Sequence, residues 1–180
     1  RTGKLIEFYE GVRRTRMAPD EMVVDIAIPA PPSQRQGVYL KVGLRRVLAI
    51  AVTNVTIVLI RDDTGSIADA RIALGSVAPT IVRALDAEAA LVGAALTDAT
   101  IEKAAALALN AAQPIDDVRG SAWYRREEVS ALVRRGLESL RSGEVRWQLA
   151  NTPGLKMSHG SVVPMCLHGI RQYVYAGIGG

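Results

Sequence analysis

The sequence has few aromatic residues, and its excess of positive charge is small. Aromatic residues make up 4% of the 180 residues, too few for the stacking surfaces on which single-stranded nucleic acids bind. The formal net charge is +4, and the basic residues are spread over several segments. We therefore predict no nucleic-acid partner.

The sequence also lacks paired cysteines and a long apolar run. The single cysteine, Cys166, excludes an internal disulfide and favours a reducing compartment, so we expect a cytoplasmic protein. No apolar run reaches the roughly 18 residues of a membrane helix, so no membrane span is predicted. The sequence contains neither G-x-x-x-x-G-K-[ST] nor G-x-G-x-x-G, the loops whose backbone amides surround nucleotide phosphates.

The potential metal ligands and nucleophiles do not form a convincing site. His159, Cys166 and His168 lie close together in the sequence, but structural zinc sites use two pairs of ligands, and no fourth candidate is near. Cys166 and His168 would need a third, orienting group to act as nucleophile and base. We predict no metal site and no catalytic residue.

The first half of the chain has the alternation of strands. Residues 19–29 alternate apolar and polar positions and predict a half-buried strand. Residues 30–37, a proline-rich polar linker, indicate a domain boundary or crossover. Further strands are predicted from residue 38, in the β-branched run Val52–Ile60, and in residues 67–74 after the turn RDDTGS.

The second half has helical periodicity. Residues 84–93 are rich in alanine and stop at a glycine. A second helix begins after Thr97, a good N-cap, and ends near Pro114. A third covers residues 121–140. Its apolar stripe consists of Val129, Leu132, Val133, Leu137 and Leu140. Strands followed by helices predict an α+β fold, with an antiparallel sheet of three to four strands packed on three helices.

A basic face on the third helix supports an alternative function. Arg125, Arg126, Arg134 and Arg135 are interleaved with glutamates, and we expect mostly a solvated, salt-bridged surface. The same face would suit a non-catalytic interaction module that docks an acidic partner.

A second basic group adjoins an apolar strand. Lys41, Arg45 and Arg46 precede the run that starts near Val47. From the residues alone, charges at a strand end and a basic rim around an anionic or electron-rich ligand are about equally favoured.

Five segments carry a family resemblance through their order and spacing. They are EFYEGVRRTRMAPDEMVVDIAIP, YLKVGLRRVLAIAV, ARIALGSVAPTIVRA, AEAALVGAALTDATIE and PIDDVRGSAWYRREEVSALVRRGL. Together they resemble the FAD-binding (medium) subunit of the molybdenum hydroxylases, the family of xanthine dehydrogenase and aerobic carbon monoxide dehydrogenase. The resemblance covers residues 5–137.

The resemblance implies a domain organisation. Residues 1–29 would be the C-terminal end, including the last strand region, of a truncated FAD-binding domain, and residues 30–37 a linker. Residues 38–140 would be the flavoprotein C-terminal α+β domain, and no role is predicted for the tail at 141–180. Because the chain begins at Arg1 and lacks phosphate loops, we expect a fragment of a longer subunit.

The resemblance also implies cofactors and partners. The complete subunit would bind FAD and pass electrons from iron–sulfur clusters to an external acceptor. One partner subunit would hold the molybdenum cofactor and another the 2Fe-2S clusters. This chain alone is expected to be inactive.

Candidate cofactor-binding residues follow from the same resemblance. Lys41 falls on a lysine that contacts FAD, Val23 on an apolar residue that contacts the cofactor, and Ile50 on a residue packed near the isoalloxazine ring. Lys41, with Arg45 or Arg46, would favour the reduced, anionic flavin through its charge.

The identity of the electron acceptor stays open. Residues 42–50 would form the wall where the flavin meets its acceptor. Mammalian xanthine dehydrogenases carry acidic residues before the isoleucine, whereas Val47, Leu48 and Ala49 stand here. NAD, a quinone and another carrier all remain possible acceptors.

Overall fold

The N-terminal residues form short elements outside the main sheet. The computed structural model describes residues 1–28, 35–45 and 49–143, and the backbone alone of residues 164–167 and 170–173. Helix α1 (Leu5–Phe8) precedes strands β1 (Tyr9–Gly11) and β2 (Arg14–Thr15), which pair antiparallel.

The half-buried strand predicted at residues 19–29 is not formed. Residues 21–28 have neither helix nor strand hydrogen bonding, and Val24, Ile26 and Ile28 are exposed. An isolated extended segment satisfies its backbone with water, because a strand needs a paired neighbour. The described part of the chain provides no such neighbour for this segment.

Four antiparallel strands form the main sheet in the order β3-β4-β5-β6. Their bounds are β3 (Arg35–Gly43), β4 (Ala51–Arg61), β5 (Ile67–Gly75) and β6 (Val82–Arg83). The predicted turn joins β4 to β5. There the Asp62 carboxylate accepts hydrogen bonds from the Thr64 hydroxyl at 2.6 Å and the Ser66 amide at 2.9 Å. Gly65 supplies the left-handed backbone that the turn requires, with φ +85°.

Three helices follow the sheet, each with a recognisable end. Their bounds are α2 (Leu85–Leu91), α3 (Asp98–Ala108), extended by a 3₁₀ turn (Leu109–Ala111), and α4 (Ala122–Ser142). The hydroxyl of Thr97 accepts from the Thr100 amide at 3.2 Å, and that of Ser121 from the Tyr124 amide at 3.1 Å. Both side chains satisfy amides that the first helical turn leaves unpaired. Gly93, after α2, has φ +78°, which confirms its predicted role as a helix stop.

The core lies between one face of the sheet and the helices. On the sheet side it contains the fully buried side chains of Val55, Ile57, Leu59, Ile72 and Leu74. On α4 it contains the whole predicted stripe. Gly136 allows α4 to approach the sheet closely, since a Cβ there would lie 2.7 Å from Ile57 Cδ1 and 3.3 Å from Val38 Cγ1.

Helix α2 is attached to the sheet by a buried carboxylate. Glu88 is 6% exposed, and its Oε1 accepts from the Ile72 amide of β5 at 2.7 Å. Both Glu88 oxygens also accept from the guanidinium of Arg83, at 2.5 and 2.6 Å. The carboxylate thus satisfies a buried strand amide and an arginine at once.

The observed architecture confirms the predicted α+β class, with four strands and three covering helices. In the tail, β7 (Pro164–Leu167) and β8 (Ile170–Tyr173) pair antiparallel. No helix in the described ranges combines the length and the apolar character that crossing a bilayer requires.

Candidate functional site

Three polar or small residues form a row across the sheet, on the face away from the helices. Lys41 of β3 lies opposite Asn54 of β4, and Asn54 lies opposite Gly75 of β5. Residues directly opposite each other point to the same face. Gly75 leaves room for the Asn54 amide, since a Cβ on Gly75 would lie 2.5 Å from its Oδ1.

The ammonium group of Lys41 binds backbone rather than a carboxylate. Its Nζ donates to the carbonyl oxygen of Ala49 at 2.7 Å, in a partly buried setting. Gly43, at the end of β3, lies against the same residue, because an added Cβ would come within 2.8 Å of Ala49 Cβ. The chain that returns towards β4 is therefore held against β3 at Ala49.

Ile50 follows immediately and projects into open space. It is 69% exposed, as is Leu44 on the other side of the connection. An exposed isoleucine next to a lysine-bound carbonyl gives this end of the sheet an apolar surface beside a positive charge. Tyr39, two residues before Lys41 on the same strand face, has a raised pKa because burial withdraws its hydroxyl from water. It is therefore uncharged at neutral pH.

The structure brings two of the five predicted cofactor residues together. Lys41 and Ile50 are neighbours through Ala49, and Arg45 lies on the exposed connection after Gly43. Arg46 lies outside the described residues. Val23 is in the extended segment 21–28 with about half its surface exposed.

The residues that precede Val23 make polar contacts with one another. Arg1 pairs with Glu21 at 2.6 Å, and Arg16 pairs with Glu7 and Glu10 at 3.6 and 3.7 Å. The arginines in these pairs are exposed, so each pair contributes little stability. These pairs do not place Val23 beside Lys41 or Ile50.

A buried ion pair, which the sequence reasoning missed, holds the start of α4. Arg125 is only 3% exposed, so the expectation of a solvated position is wrong. Its guanidinium donates to Asp117 and, at 2.9 Å, to the carbonyl of Ser76 at the end of β5. Hydrogen bonds from Arg119, and then from Arg125, hold the pKa of Asp117 well below its usual range. One sequence signal was available: Arg125 lies four residues before Val129, on the apolar stripe itself.

Two further arginines of the predicted docking face, Arg126 and Arg134, make contacts within the domain. Arg126 donates to the carbonyl of Ala112 at 2.6 Å. Arg134 makes a two-point pair with Glu102 of α3, at 2.5 and 2.9 Å. Arg126 thus binds a neutral carbonyl, and only the charge of Arg134 is paired with a carboxylate within the domain.

No metal-binding cluster occurs among the residues whose side chains the structure describes. His159 and His168 lie outside the described residues, and only the backbone of Cys166 is described.

The chain's own residues fit one end of FAD. Exposed Ile50 and Leu44 offer apolar surface for a flat ring, and Lys41 provides a nearby cation. Neither glycine-rich motif for a pyrophosphate occurs in the sequence. The described residues at this end of the sheet therefore suit the ring end of the cofactor.

The four-stranded sheet covered by three helices defines an α+β domain, and comparison with known proteins identifies its family. Residues 38–140 match the CO dehydrogenase flavoprotein C-terminal domain family. The chain belongs to this family, as the C-terminal part of an FAD-binding medium subunit of the molybdenum hydroxylases.

Curated relatives are medium subunits of oxidoreductases. The chain is 34% identical over 132 residues to the carbon monoxide dehydrogenase medium chain of Afipia carboxidovorans, covering 73% of this chain and 45% of that protein. It is 34% identical over 135 residues to the nicotine 6-hydroxylase medium subunit of Paenarthrobacter nicotinovorans, covering 75% and 46%. The chain thus spans a little under half the length of these relatives.

Solved structures agree in fold. The reconstituted CO dehydrogenase from Oligotropha carboxidovorans superposes with a TM-score of 0.70 at 32% identity, over 76% of this chain and 47% of that one. Quinoline 2-oxidoreductase from Pseudomonas putida 86 gives a TM-score of 0.69 at 26% identity, over 78% and 48%.

Proposed function

We propose that this chain forms the flavin edge of the FAD subunit in a molybdenum-containing hydroxylase or dehydrogenase. In the whole enzyme, a substrate is hydroxylated at the molybdenum cofactor of one partner subunit. Electrons pass through the 2Fe-2S clusters of a second partner to this subunit and then to an external acceptor. The observation that carries the proposal is the exposed Ile50 beside Lys41, inside the residues that match the family.

Bound FAD would supply the redox chemistry, and the chain's residues would bind and tune it. The positive charge of Lys41, with Arg45 or Arg46, favours negative charge on a nearby ring, by the same electrostatics that lowers an acid's pKa. Ile50 excludes water from one side of the ring. Val23 is the candidate apolar contact from the preceding segment.

The rest of the cofactor must be bound by residues outside this chain. Neither glycine-rich phosphate motif occurs in the sequence, so we propose that the pyrophosphate is bound outside this chain, where helix N-termini and glycine-rich loops normally act. The isolated chain is therefore proposed to be inactive and to bind FAD weakly or not at all.

The test is flavin retention by the complete FAD subunit. The FAD content per subunit would be measured from visible absorbance for the parent, for Lys41→Ala and for Lys103→Ala, which removes an exposed lysine on α3. We expect a yellow parent and control, and roughly tenfold weaker FAD binding in Lys41→Ala, the effect of a lost charged interaction. A complete subunit that stays colourless in excess FAD would refute the proposal.

A further inference from the structure

Two contacts with strand β3 determine where Ala49 lies: one binds it, and the other is a close approach that a glycine makes possible. The first is the 2.7 Å hydrogen bond from Lys41 Nζ to the Ala49 carbonyl. The second is steric: Gly43 has no side chain, and an added Cβ would lie 2.8 Å from Ala49 Cβ. Both contacts come from β3, and both act on the residue directly before Ile50.

Holding the Ala49 carbonyl orients the backbone of Ile50. The peptide group between Ala49 and Ile50 is planar, so fixing its carbonyl also fixes the direction of the Ile50 amide. Ala51, which follows Ile50 directly, is the first residue of β4 and pairs with Gly43. Ile50 is thus flanked by two contacts to β3, the Lys41 side-chain bond to Ala49 and the backbone pairing of Ala51 with Gly43.

Ile50 itself has little packing to hold it. With 69% of its surface exposed, its side chain lacks the contacts that usually fix a core residue. Its position is therefore set by its backbone. The Lys41 bond therefore helps to position Ile50, in addition to satisfying the Ala49 carbonyl.

We infer that Lys41 is a positioning residue that sets the place of Ile50 through the Ala49 carbonyl, and that this is a main route by which it affects flavin binding. The inference rests on the proposed function, and it deepens it. If Lys41 instead acted on the flavin ring by charge alone, displacing Ala49 while leaving the lysine in place would not change the affinity for FAD. Gly43→Ala makes that displacement.

The first experiment measures hydrogen exchange of the amides of residues 51 and 52 in the complete subunit, without FAD. We expect about tenfold faster exchange in Lys41→Met, because a partly buried carbonyl loses its charged donor. Gly43→Ala should have a similar effect. Lys41→Arg should restore much of the protection, and the exposed control Lys103→Met should match the parent. Unchanged exchange in the core of β5 would show that each variant is folded.

The second experiment is a double-mutant cycle on the FAD dissociation constant, with Lys41→Met, Ile50→Ala and the combination. If Lys41 acts through Ile50, the double variant binds FAD no more weakly than Ile50→Ala alone. Gly43→Ala should weaken FAD binding by a factor similar to that of Lys41→Met. Multiplicative effects in the cycle, with normal affinity in Gly43→Ala, would overturn the inference.

The two experiments separate this inference from the proposed function. Parent-like exchange in Lys41→Met overturns the inference whatever happens to FAD. Faster exchange with parent-like FAD affinity in every variant supports the backbone contact and instead refutes the placement of Ile50 at the flavin.

Discussion

Replacing Glu88 tests how helix α2 is held on the sheet. Glu88→Ala leaves the buried Ile72 amide without its acceptor, which costs about 1–3 kcal/mol. It also releases Arg83, whose side chain is 33% exposed, so the lost pair adds only about 0.5–1 kcal/mol. Alanine recovers a few tenths of a kcal/mol of helix propensity. The net expected loss is about 1–3.5 kcal/mol.

Glu88→Gln separates the two contributions. Its amide oxygen still accepts from Ile72, so only the charge on Arg83 is lost, and we expect a cost of about 1 kcal/mol. Asp86→Ala is the control on the same helix. Asp86 is exposed and binds the Asn110 amide at 2.7 Å, and its removal should cost about 0.5 kcal/mol or less.

The assay is urea unfolding followed by far-ultraviolet circular dichroism. With a slope of about 1.5 kcal/mol per molar urea, Glu88→Ala should lower the midpoint by roughly 0.7–2.3 M. The thermal midpoint of this 180-residue chain should fall by about 2–14 °C. If Glu88→Ala and Glu88→Gln unfold at the same urea concentration, the bond to the Ile72 amide does not stabilise the domain and the reasoning fails.

Three further predictions concern the Asp117 ion pair, the core and the row across the sheet. Asp117→Asn should destabilise the protein at pH 7, and the difference in stability from the parent should shrink below about pH 4. The parent loses the contribution of this carboxylate as the pH falls from the unfolded pKa towards the depressed pKa of Asp117. A difference in unfolding midpoint that is the same at pH 7 and pH 3 would show that the pair contributes nothing. Leu137→Ala, in the fully buried stripe, should cost about 2–5 kcal/mol in urea unfolding, and a loss under 1 kcal/mol would contradict the observed packing. Gly75→Ala must displace the Asn54 side chain and should cost about 1–3 kcal/mol, whereas Gly75→Ala combined with Asn54→Ser should unfold close to the Asn54→Ser variant.

Local patterns predicted most of the fold. The stripe that includes Val129 and Leu137 repeats with helical spacing, so the buried face of α4 could be read without knowing its partner. The Thr97 cap and the Gly93 stop depend only on the residues next to them. The prediction of a strand at 19–29 was wrong because the alternation of apolar and polar residues shows which side of a segment is apolar and not whether another strand pairs with it.

Contacts distant in sequence could not be predicted in the same way. Arg125 is 49 residues from the Ser76 carbonyl that it binds, and charge alternation along α4 suggested solvent instead. The candidate site came from a family resemblance, which indicated Lys41 and Ile50 but not the Ala49 carbonyl between them. That bond depends on how the connection after Gly43 folds back on β3.

Because Gly136 has no side chain, the residues that fit at sheet positions 57 and 38 depend on the residue at helix position 136. Because Ile57 Cδ1 and Val38 Cγ1 occupy the space that a Cβ would need, any larger residue at 136 requires a smaller one at 57 or 38, or a wider gap between α4 and the sheet. Relatives of this chain are therefore expected to vary at these positions together. In an engineered variant, Gly136→Ala should be tolerated best when Ile57 is shortened to valine in the same chain.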